Sequence, residues 1–222
     1  MSLNYLWQGL TDLLWPRHCV GCRTPNNYLC DKCLARLPTA NLIDEKNSLA
    51  LFEYNDSRVK KLVWQLKYRG VTSIADTLGP LLYEQLLETL ADWQTYHPQS
   101  TEKWLVIPIP LSRERYRGRG YNQAELLARA LVKTKPELFE LAGNKELLKI
   151  KDTPSQVSIK NREQRLKNLK AAFACGESGR VRGRRIILVD DVITTGGTMT
   201  AAQSALTRAG ARSLISLAIA HG

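Results

Sequence analysis

Two adjacent acids near the carboxyl end of the sequence precede a cluster of hydroxyl-bearing residues and glycines. Asp190 and Asp191 directly follow the apolar run 186–189, and the cluster occupies residues 194–198. Carboxylates accept hydrogen bonds from sugar hydroxyls and bind divalent cations. Free backbone N–H groups and threonine hydroxyls bind anions instead. One short stretch therefore combines a site for hydroxyls or a cation with a site for an anion.

The apolar pattern around this stretch predicts the elements that position it. Residues 186–189 are mostly β-branched and uninterrupted, which predicts a strand buried on both faces of a parallel sheet. Beyond Gly197 a helix is predicted, with Thr198 near its N-cap and Gly210 at its end. Its apolar residues recur at helical spacing: Met199, Ala202, Leu206 and Ala209. A second apolar run, 214–220, completes a β-α-β unit whose loop lies at the carboxyl edge of the sheet, where ligands bind.

The loop between strand and helix indicates the kind of ligand. Thr194, Thr195 and Thr198 offer hydroxyl groups, and Gly196 and Gly197 let a ligand approach the backbone closely. The helix dipole contributes about 0.3 to 1 kcal/mol per anion, so hydrogen bonds must supply most of the affinity for a phosphate. The two carboxylates would repel that phosphate. We therefore expect a ligand with a phosphate at one end and hydroxyls or a divalent cation about one sugar away, such as a ribose 5-phosphate.

Other phosphate-binding motifs do not fit the sequence. A dinucleotide-binding fold requires G-x-G-x-x-G and a P-loop requires G-K-[ST], and neither occurs in the chain. The remaining alternative is an ordinary strand-to-helix turn with a solvated acid pair. The order of buried strand, acid pair, loop and helix favours the phosphate site.

The motif VDDVITTGGT at 189–198 resembles the phosphoribosyl pyrophosphate (PRPP) motif of type I phosphoribosyltransferases. The resemblance implies that the acids contact the ribose hydroxyls and that the loop wraps the 5-phosphate. The residues it assigns to PRPP are Asp190, Asp191, Val192, Thr194, Thr195, Gly196, Gly197 and Thr198. It also implies an α/β fold, in which helices flank a type I phosphoribosyltransferase-like parallel sheet.

Four of the five cysteines form two C-x2-C pairs, with seven residues between the pairs: Cys19, Cys22, Cys30 and Cys33. Four thiolates form the closed tetrahedral site that is typical of structural zinc. Disulfides are the alternative, but a basic chain without a recognisable secretion signal favours a reducing compartment. We expect an N-terminal amphipathic helix and a small four-cysteine zinc finger in residues 1–40, and a phosphoribosyltransferase-like domain in residues 41–222.

The rest of the chain reads as alternating strands and helices. The pattern predicts a strand at 48–54, then a helix whose buried face includes Val59 and Leu66, and then a longer helix at 74–90. A polar linker at 94–103 leads into a buried strand at 104–110. A glycine-bearing loop and a helix marked by further leucines follow. No run reaches the roughly 18 apolar residues that a membrane span requires, so we expect a cytoplasmic protein.

The net charge of +11 is concentrated in two places. Residues 145–185, the basic segment, hold twelve Lys or Arg against four acids. A second cluster lies in the glycine-bearing loop that is predicted after the strand at 104–110: Arg113, Arg115, Arg117 and Arg119. Such clusters suit a pyrophosphate or a nucleic-acid backbone, and a solvated basic face is the alternative. Because few aromatic residues lie near the basic runs, the sequence predicts no base-stacking platform.

Several further motifs make the resemblance narrower. They are LKYRG at 66–70, PIPLSRERYRGRGYNQ at 108–123, TPSQ at 153–156, NREQR at 161–165 and NLKAAF at 168–173. With the cysteine pairs and VDDVITTGGT, their order is similar to that of the ComF family of competence-associated phosphoribosyltransferase-like proteins. The resemblance implies a zinc finger, PRPP binding, and a role in the uptake or use of external DNA. It implies as partners single-stranded DNA and other competence or DNA-processing proteins.

The resemblance leaves the activity open. In a PRPP-dependent transferase with an unknown acceptor, Asp190 and Asp191 would act in catalysis and Mg²⁺ would bridge the pyrophosphate and the ribose hydroxyls. Arg113, Arg117 and Arg119 are candidates for the pyrophosphate, and arginines of the NREQR motif for closing over it. In a catalytically weak accessory protein or sensor, PRPP binding would accompany binding of single-stranded DNA through the basic face. A zinc finger that binds nucleic acid by charge alone is a third function, which leaves the PRPP motif unexplained.

Overall fold

The computed structural model describes residues 17–40, 48–69, 71–150, 172–176 and 178–222. The predicted N-terminal amphipathic helix and the TPSQ and NREQR motifs, with Arg162 and Arg165, lie outside the described residues. None of the helices within the described residues is long and apolar enough to cross a membrane.

A parallel sheet of five strands forms the centre of the described structure, in the order β1, β7, β6, β2, β3. Two further strands, β4 and β5, pair antiparallel beside it. The strands are β1 (Ser48–Glu53), β2 (Trp104–Pro108), β3 (Phe139–Leu141), β4 (Leu148–Lys149), β5 (Phe173–Ala174), β6 (Arg185–Ile193) and β7 (Ser213–His221). The α/β class predicted from the sequence is confirmed.

The described helices are α1 (Asp31–Leu34), α2 (Ser57–Tyr68), α3 (Ile74–Tyr96), α4 (Arg113–Arg119), α5 (Gln123–Thr134) and α6 (Gly197–Arg208). Short polar side chains cap several of them, as helix N-termini require. Asp56 accepts a hydrogen bond from the N–H of Arg58 at 2.8 Å, and Asn122 accepts one from Ala124 at 3.1 Å. The predicted helix 74–90 was too short, because α3 continues through the start of the predicted linker.

Successive residues of β6 face two different cores. Ile187 and Val189 pack in the core that includes the buried leucines of α3 and α5. Ile186 and Leu188 pack in the core that includes Met199 of α6. Because side chains alternate along a strand, this burial on both faces explains the uninterrupted apolar run in the sequence.

Strand β6 extends beyond the predicted run 186–189 and includes the acid pair. Its pairing with β7 continues from Asp190 opposite Ala218 to Ile193 opposite His221. On its other side β6 pairs with β2, where Val189 lies opposite Pro108. The chain leaves β2 towards β3 and leaves β6 towards β7, so the sheet changes direction between these two strands. Such a change opens a crevice at the carboxyl ends of the strands.

The four-cysteine segment packs against the edge strand β1. The carbonyl oxygen of Pro38 accepts a hydrogen bond from the N–H of Glu53 at 3.0 Å, and Ala40 donates to Leu51 at 3.2 Å. Cys19, Leu29 and Leu37 belong to the same core cluster as β1 and α2. The division at residue 40 stays a prediction, since the two parts share this core.

Candidate functional site

The two acids of the motif lie in different surroundings at the end of β6. Asp191 is buried, and its Oδ1 forms an ion pair with Nζ of Lys67 at 2.8 Å. Its Oδ2 is also buried and has no hydrogen-bond partner among the described residues. Asp190 is half-buried, and its Oδ1 accepts a hydrogen bond from the N–H of Asp191 at 2.8 Å. The carboxylate pair thus retains oxygen atoms that a ligand can use.

Asp190 titrates near neutral pH. Its burial, together with the negative charge of Asp191, raises the pKa of Asp190 to about 7. The N–H of Asp191 and the cations of Lys67 and Lys149 oppose this rise. Since hydrogen bonds to the charged form lower a carboxyl pKa, a ligand that donates hydroxyls here would favour ionised Asp190.

The loop after β6 forms an open helix N-terminus. Gly196 has the left-handed φ of 70° and is the N-cap of α6, without a side-chain capping bond. Thr194, Thr195 and Thr198 are all exposed around it. The first N–H groups of a helix have no partner within it, so they are available to an anion here. Thr198 lies near the N-cap as predicted, in the first turn of α6, although the N-cap itself is Gly196.

Position 196 requires glycine because of its backbone conformation, and not because neighbouring atoms pack closely against it. A Cβ at this position would meet no atom within 4 Å. Its φ of 70° lies in a region that residues with a side chain rarely adopt. The glycine therefore fixes the direction in which the N–H groups of α6 point.

The carboxyl end of β2 borders the acid pair. The N–H of Ile109 donates to the carbonyl oxygen of Val189 at 2.9 Å. A cavity of about 390 Å³ lies next to this end. Its lining includes Pro108, Leu111, Arg113, Tyr116, Arg117 and Asn144.

The predicted arginine loop is a short helix, so that prediction was wrong. Ser112 caps α4 by accepting a hydrogen bond from Arg115 at 3.3 Å, and Gly120 ends it with a φ of 76°. Residues four apart share a helix face, which brings Arg113 and Arg117 together on the cavity. Arg119 lies elsewhere: it donates to Gln123 at 2.8 Å and to the hydroxyl of Tyr68 at 3.4 Å.

Lys67 is the site residue that sequence analysis missed. It lies within the LKYRG motif at the end of α2, but no pattern in the sequence connects it to the acid pair. In the fold its side chain is 20% exposed and its ammonium group neutralises the buried carboxylate of Asp191. Only the tertiary structure provides this contact.

The four predicted zinc ligands converge in the described structure. Their sulfur atoms all lie within 4.8 Å of one another. The Sγ atoms of Cys19 and Cys22 lie 3.6 and 3.5 Å from Sγ of Cys30. Sulfur ligands about 2.3 Å from one tetrahedral ion would be about 3.8 Å apart, so the donor set fits a tetrathiolate metal site.

Glycine and backbone groups support this cluster. A Cβ on Gly21 would lie 2.7 Å from Sγ of Cys33, so only glycine fits beside that ligand. Burial raises the pKa of Cys19, but N–H groups of Cys30, Cys22 and Gly21 outweigh that effect and lower it to about 6. Burial and the neighbouring sulfurs raise the pKa of Cys33 to about 12. A divalent cation would compensate half of the charge of four thiolates.

Much of the described charge in the basic segment is neutralised within the protein. Arg180 pairs with Glu140 and Glu146 at 2.7 and 2.8 Å, and Arg184 pairs with Glu140 at 2.9 Å. Arg185 is fully buried against the rings of two tryptophans. The described part of this segment therefore offers fewer cations to a polyanion than the composition predicts.

Comparisons with known proteins show which proteins this chain resembles. A family model described as "Phosphoribosyl transferase domain" matches residues 120–222. "Competence protein F" of Haemophilus influenzae is 30% identical, over 87% of this chain and 80% of its own length. "DNA utilization protein YhgH" of Escherichia coli O157:H7 is 31% identical, over 85% of this chain and 75% of its own length. "Competence protein ComFC" of Bacillus subtilis is 26% identical, over 84% of this chain and 68% of its own length.

Proposed function

Because this chain belongs to the ComF family of competence-associated phosphoribosyltransferase-like proteins, we propose that it binds PRPP and supports the uptake or use of external DNA. The observation that carries the proposal is the arrangement of polar groups at the carboxyl end of β6. One strand there presents a carboxylate pair, and the loop that follows it leads directly into an uncapped helix N-terminus surrounded by exposed threonines. A sugar phosphate with free hydroxyls satisfies both halves.

In this proposal the two halves of the site hold opposite ends of the ribose. Asp190 and Asp191 accept hydrogen bonds from its hydroxyls, beside the backbone of Val192. The 5-phosphate binds the N–H and hydroxyl groups of the loop, which comprises Thr194, Thr195, Gly196, Gly197 and Thr198. Charge repulsion between the carboxylates and the phosphate orients the ligand.

Magnesium belongs to the proposal as the ion that accompanies PRPP. The buried Oδ2 of Asp191 supports it: this oxygen has no hydrogen-bond partner in the part of the chain that the structure describes, and such an oxygen requires a cation or a hydrogen-bond donor. When bound, magnesium supplies charge neutralisation for the pyrophosphate. Arg113 and Arg117 would bind the same group from the cavity beside β2, whereas Arg119 is engaged with other side chains.

We also assign the four-cysteine site to structural zinc. Four sulfur ligands and a closed, tetrahedral arrangement leave no open position for a substrate. The chemistry of the donor set selects zinc over magnesium or calcium, which prefer oxygen ligands.

The PRPP site can be tested by calorimetric titration of wild type, Asp190→Asn, Asp191→Asn and Thr198→Ala. Loss of a hydrogen bond to a charged group costs about 1.5 to 3 kcal/mol, so each change should lower PRPP affinity by roughly one to two orders of magnitude. The aspartate variants should lose affinity in a magnesium-dependent way. Thr198→Ala should also weaken ribose 5-phosphate, since that ligand still uses the loop.

Asp76→Asn is the matched control, because Asp76 is an aspartate with a side chain 56% exposed on α3. It should bind PRPP like the wild type. Unchanged PRPP affinity in all three site variants, with folding confirmed by circular dichroism, would show that the loop is only a turn and would refute the proposal.

Turnover is a separate question from binding. An enzyme would release pyrophosphate from PRPP when given its acceptor, since the anomeric carbon becomes oxocarbenium-like as that group leaves. An accessory protein or sensor would bind PRPP and release none. Pyrophosphate release, screened against nucleobases and single-stranded DNA, distinguishes the two functions.

A further inference from the structure

Lys67, at the end of α2, places a positive charge directly on the acid pair. Its Nζ lies 2.8 Å from Oδ1 of Asp191, and the two side chains are only 20% and 5% exposed. Water and salt screen such a pair less than they screen an ion pair at the surface. The charge of Lys67 is therefore part of the environment that any ligand of the acid pair meets.

Contacts on either side of Lys67 hold this end of α2 in place. The hydroxyl of Tyr121 donates to the carbonyl oxygen of Leu66 at 2.6 Å. The guanidinium group of Arg119 donates to the hydroxyl of Tyr68 at 3.4 Å and lies 4.9 Å from the centroid of that ring. Both neighbours of Lys67 are thus anchored near the end of α4. The ammonium group is held beside the acid pair by more than its own ion pair.

The net charge of the acid pair decides how strongly it attracts a cation. Each ionised carboxylate carries one negative charge, and Lys67 compensates that of Asp191. Lys149 also acts on Asp190 through its charge, against the larger effects of burial and of Asp191 that raise the pKa of Asp190. Free Mg²⁺ loses its bound water reluctantly and requires negatively charged oxygens to do so. A pair compensated in this way should attract free Mg²⁺ only weakly.

We propose that Lys67 prevents free divalent cations from binding the acid pair, so that such a cation binds there only with a ligand that brings negative charge. An ammonium group and a divalent cation on the same carboxylate repel each other, and the phosphate groups of a ligand offset that repulsion. The part that concerns the ligand rests on the proposed PRPP site, whereas the exclusion of free cations does not. An ion pair with a structural role alone would stabilise α2 and leave cation binding unchanged.

The test is the binding of Mn²⁺ to the full chain without any other ligand, measured by electron paramagnetic resonance of the free ion. Mn²⁺ replaces Mg²⁺ as the probe because both prefer oxygen ligands, whereas the thiolates of the cysteine cluster select softer ions. The wild type should show no saturable site up to about 1 mM Mn²⁺. Lys67→Gln should bind Mn²⁺ at least about ten-fold more tightly, because the repelling charge is removed while both carboxylates remain.

Lys61→Gln is the matched control, because it removes the same charge from an exposed lysine of the same helix. It should bind Mn²⁺ no better than the wild type. Lys67→Arg keeps the positive charge and should also exclude Mn²⁺. Lys67→Gln combined with Asp191→Asn should lose the gained site, which would place that site at the acid pair.

Thermal unfolding gives a second readout that requires no activity. Lys67→Gln leaves the buried carboxylate of Asp191 without its partner, so its melting temperature should be lower than that of the wild type. Mg²⁺ should restore part of this loss, because a ligand that binds only the folded chain raises the melting temperature. The melting temperature of the wild type should respond to Mg²⁺ only when PRPP is also present.

Two outcomes would overturn the proposal. One is saturable binding of Mn²⁺ by the wild type that Asp191→Asn abolishes, a result that needs no lysine variant. The other is Lys67→Gln that binds Mn²⁺ no better than Lys61→Gln and gains no stability from Mg²⁺. PRPP titration of the same proteins separates the two proposals: a wild type that excludes Mn²⁺ through Lys67 but binds no PRPP refutes only the proposed function.

Discussion

Asp190 and Asp191 are neighbours in sequence but differ in their surroundings in the fold. Consecutive residues of a strand point to opposite faces, so only Asp191 reaches Lys67. The carboxylate of Asp191 is compensated, whereas Asp190 carries the cost of desolvation and of its neighbour's charge. Such strain is typical of a site that a ligand completes.

The raised pKa of Asp190 predicts a pH-dependent gain in stability on Asp190→Asn. Its pKa is about 7 in the folded chain and 3.8 as an ordinary aspartate, so the folded state binds the extra proton between these values. Stability therefore falls as pH rises through this window, because folding then buries a charge. Asparagine carries no charge. We expect the variant to melt a few degrees higher than wild type at pH 8, with a smaller difference at pH 5.

Thermal unfolding at the two pH values measures this gain, with Asp76→Asn, a change at an exposed aspartate of α3, as the control. A gain of the same size at both pH values would contradict the assignment of a near-neutral pKa to Asp190. The same variant should bind PRPP more weakly, so stability and binding would change in opposite directions.

Sequence patterns identified the strand, loop and helix of the site but misjudged their ends. The acid pair was expected beyond the strand, yet β6 continues through it because β7 supplies partners up to His221. Periodicity could not reveal this, since the acids interrupt the apolar run. The arginine loop is the helix α4, where Ser112 and Gly120 act as caps although glycine and arginine density indicated a loop.

The left-handed start of α6 gives a prediction for Gly196→Ala. A Cβ at this position would meet no other atom, but a residue with a side chain rarely adopts a φ of 70°. The change should therefore cost about 1 kcal/mol of stability, or roughly 2 to 4 °C in melting temperature. Because the N–H groups of the first turn would shift, PRPP affinity should fall as well. Thermal unfolding and calorimetry measure the two effects.

Gly179→Ala is the matched control, because a Cβ added at Gly179 would also meet no atom within 4 Å and Gly179 lacks a left-handed φ. Its melting temperature should stay within about 1 °C of wild type, or rise slightly. If Gly196→Ala behaved like this control, the loop would not require glycine.

At the scale of the whole molecule, the sequence predicted the fold class and both motif clusters but not how they are joined. Long-range contacts such as Lys67 with Asp191, and Tyr68 with Arg119, leave no local periodicity to detect. The four cysteines were predicted to form a small domain of their own. In the fold Cys19 and Cys33 share a core with β1 and α2, so the cysteine segment supports the edge of the sheet.

This shared core predicts which parts of the fold lose stability when zinc is absent. The purified protein should contain about one zinc per chain, and Cys30→Ser should lower its melting temperature by roughly 10 °C, since structural zinc contributes many kcal/mol to small modules. Hydrogen exchange should rise in residues 17–40, which include the N–H of Ala40 that donates to Leu51, and also at Glu53, whose N–H donates to Pro38. Hydrogen exchange in β6 should change least.

Cys175→Ser is the control, because Cys175 is a half-buried cysteine outside the cluster. Protein prepared without chelators that contained no zinc would refute the assignment, and exchange confined to residues 17–40 would show that the cysteine segment is energetically independent of the sheet.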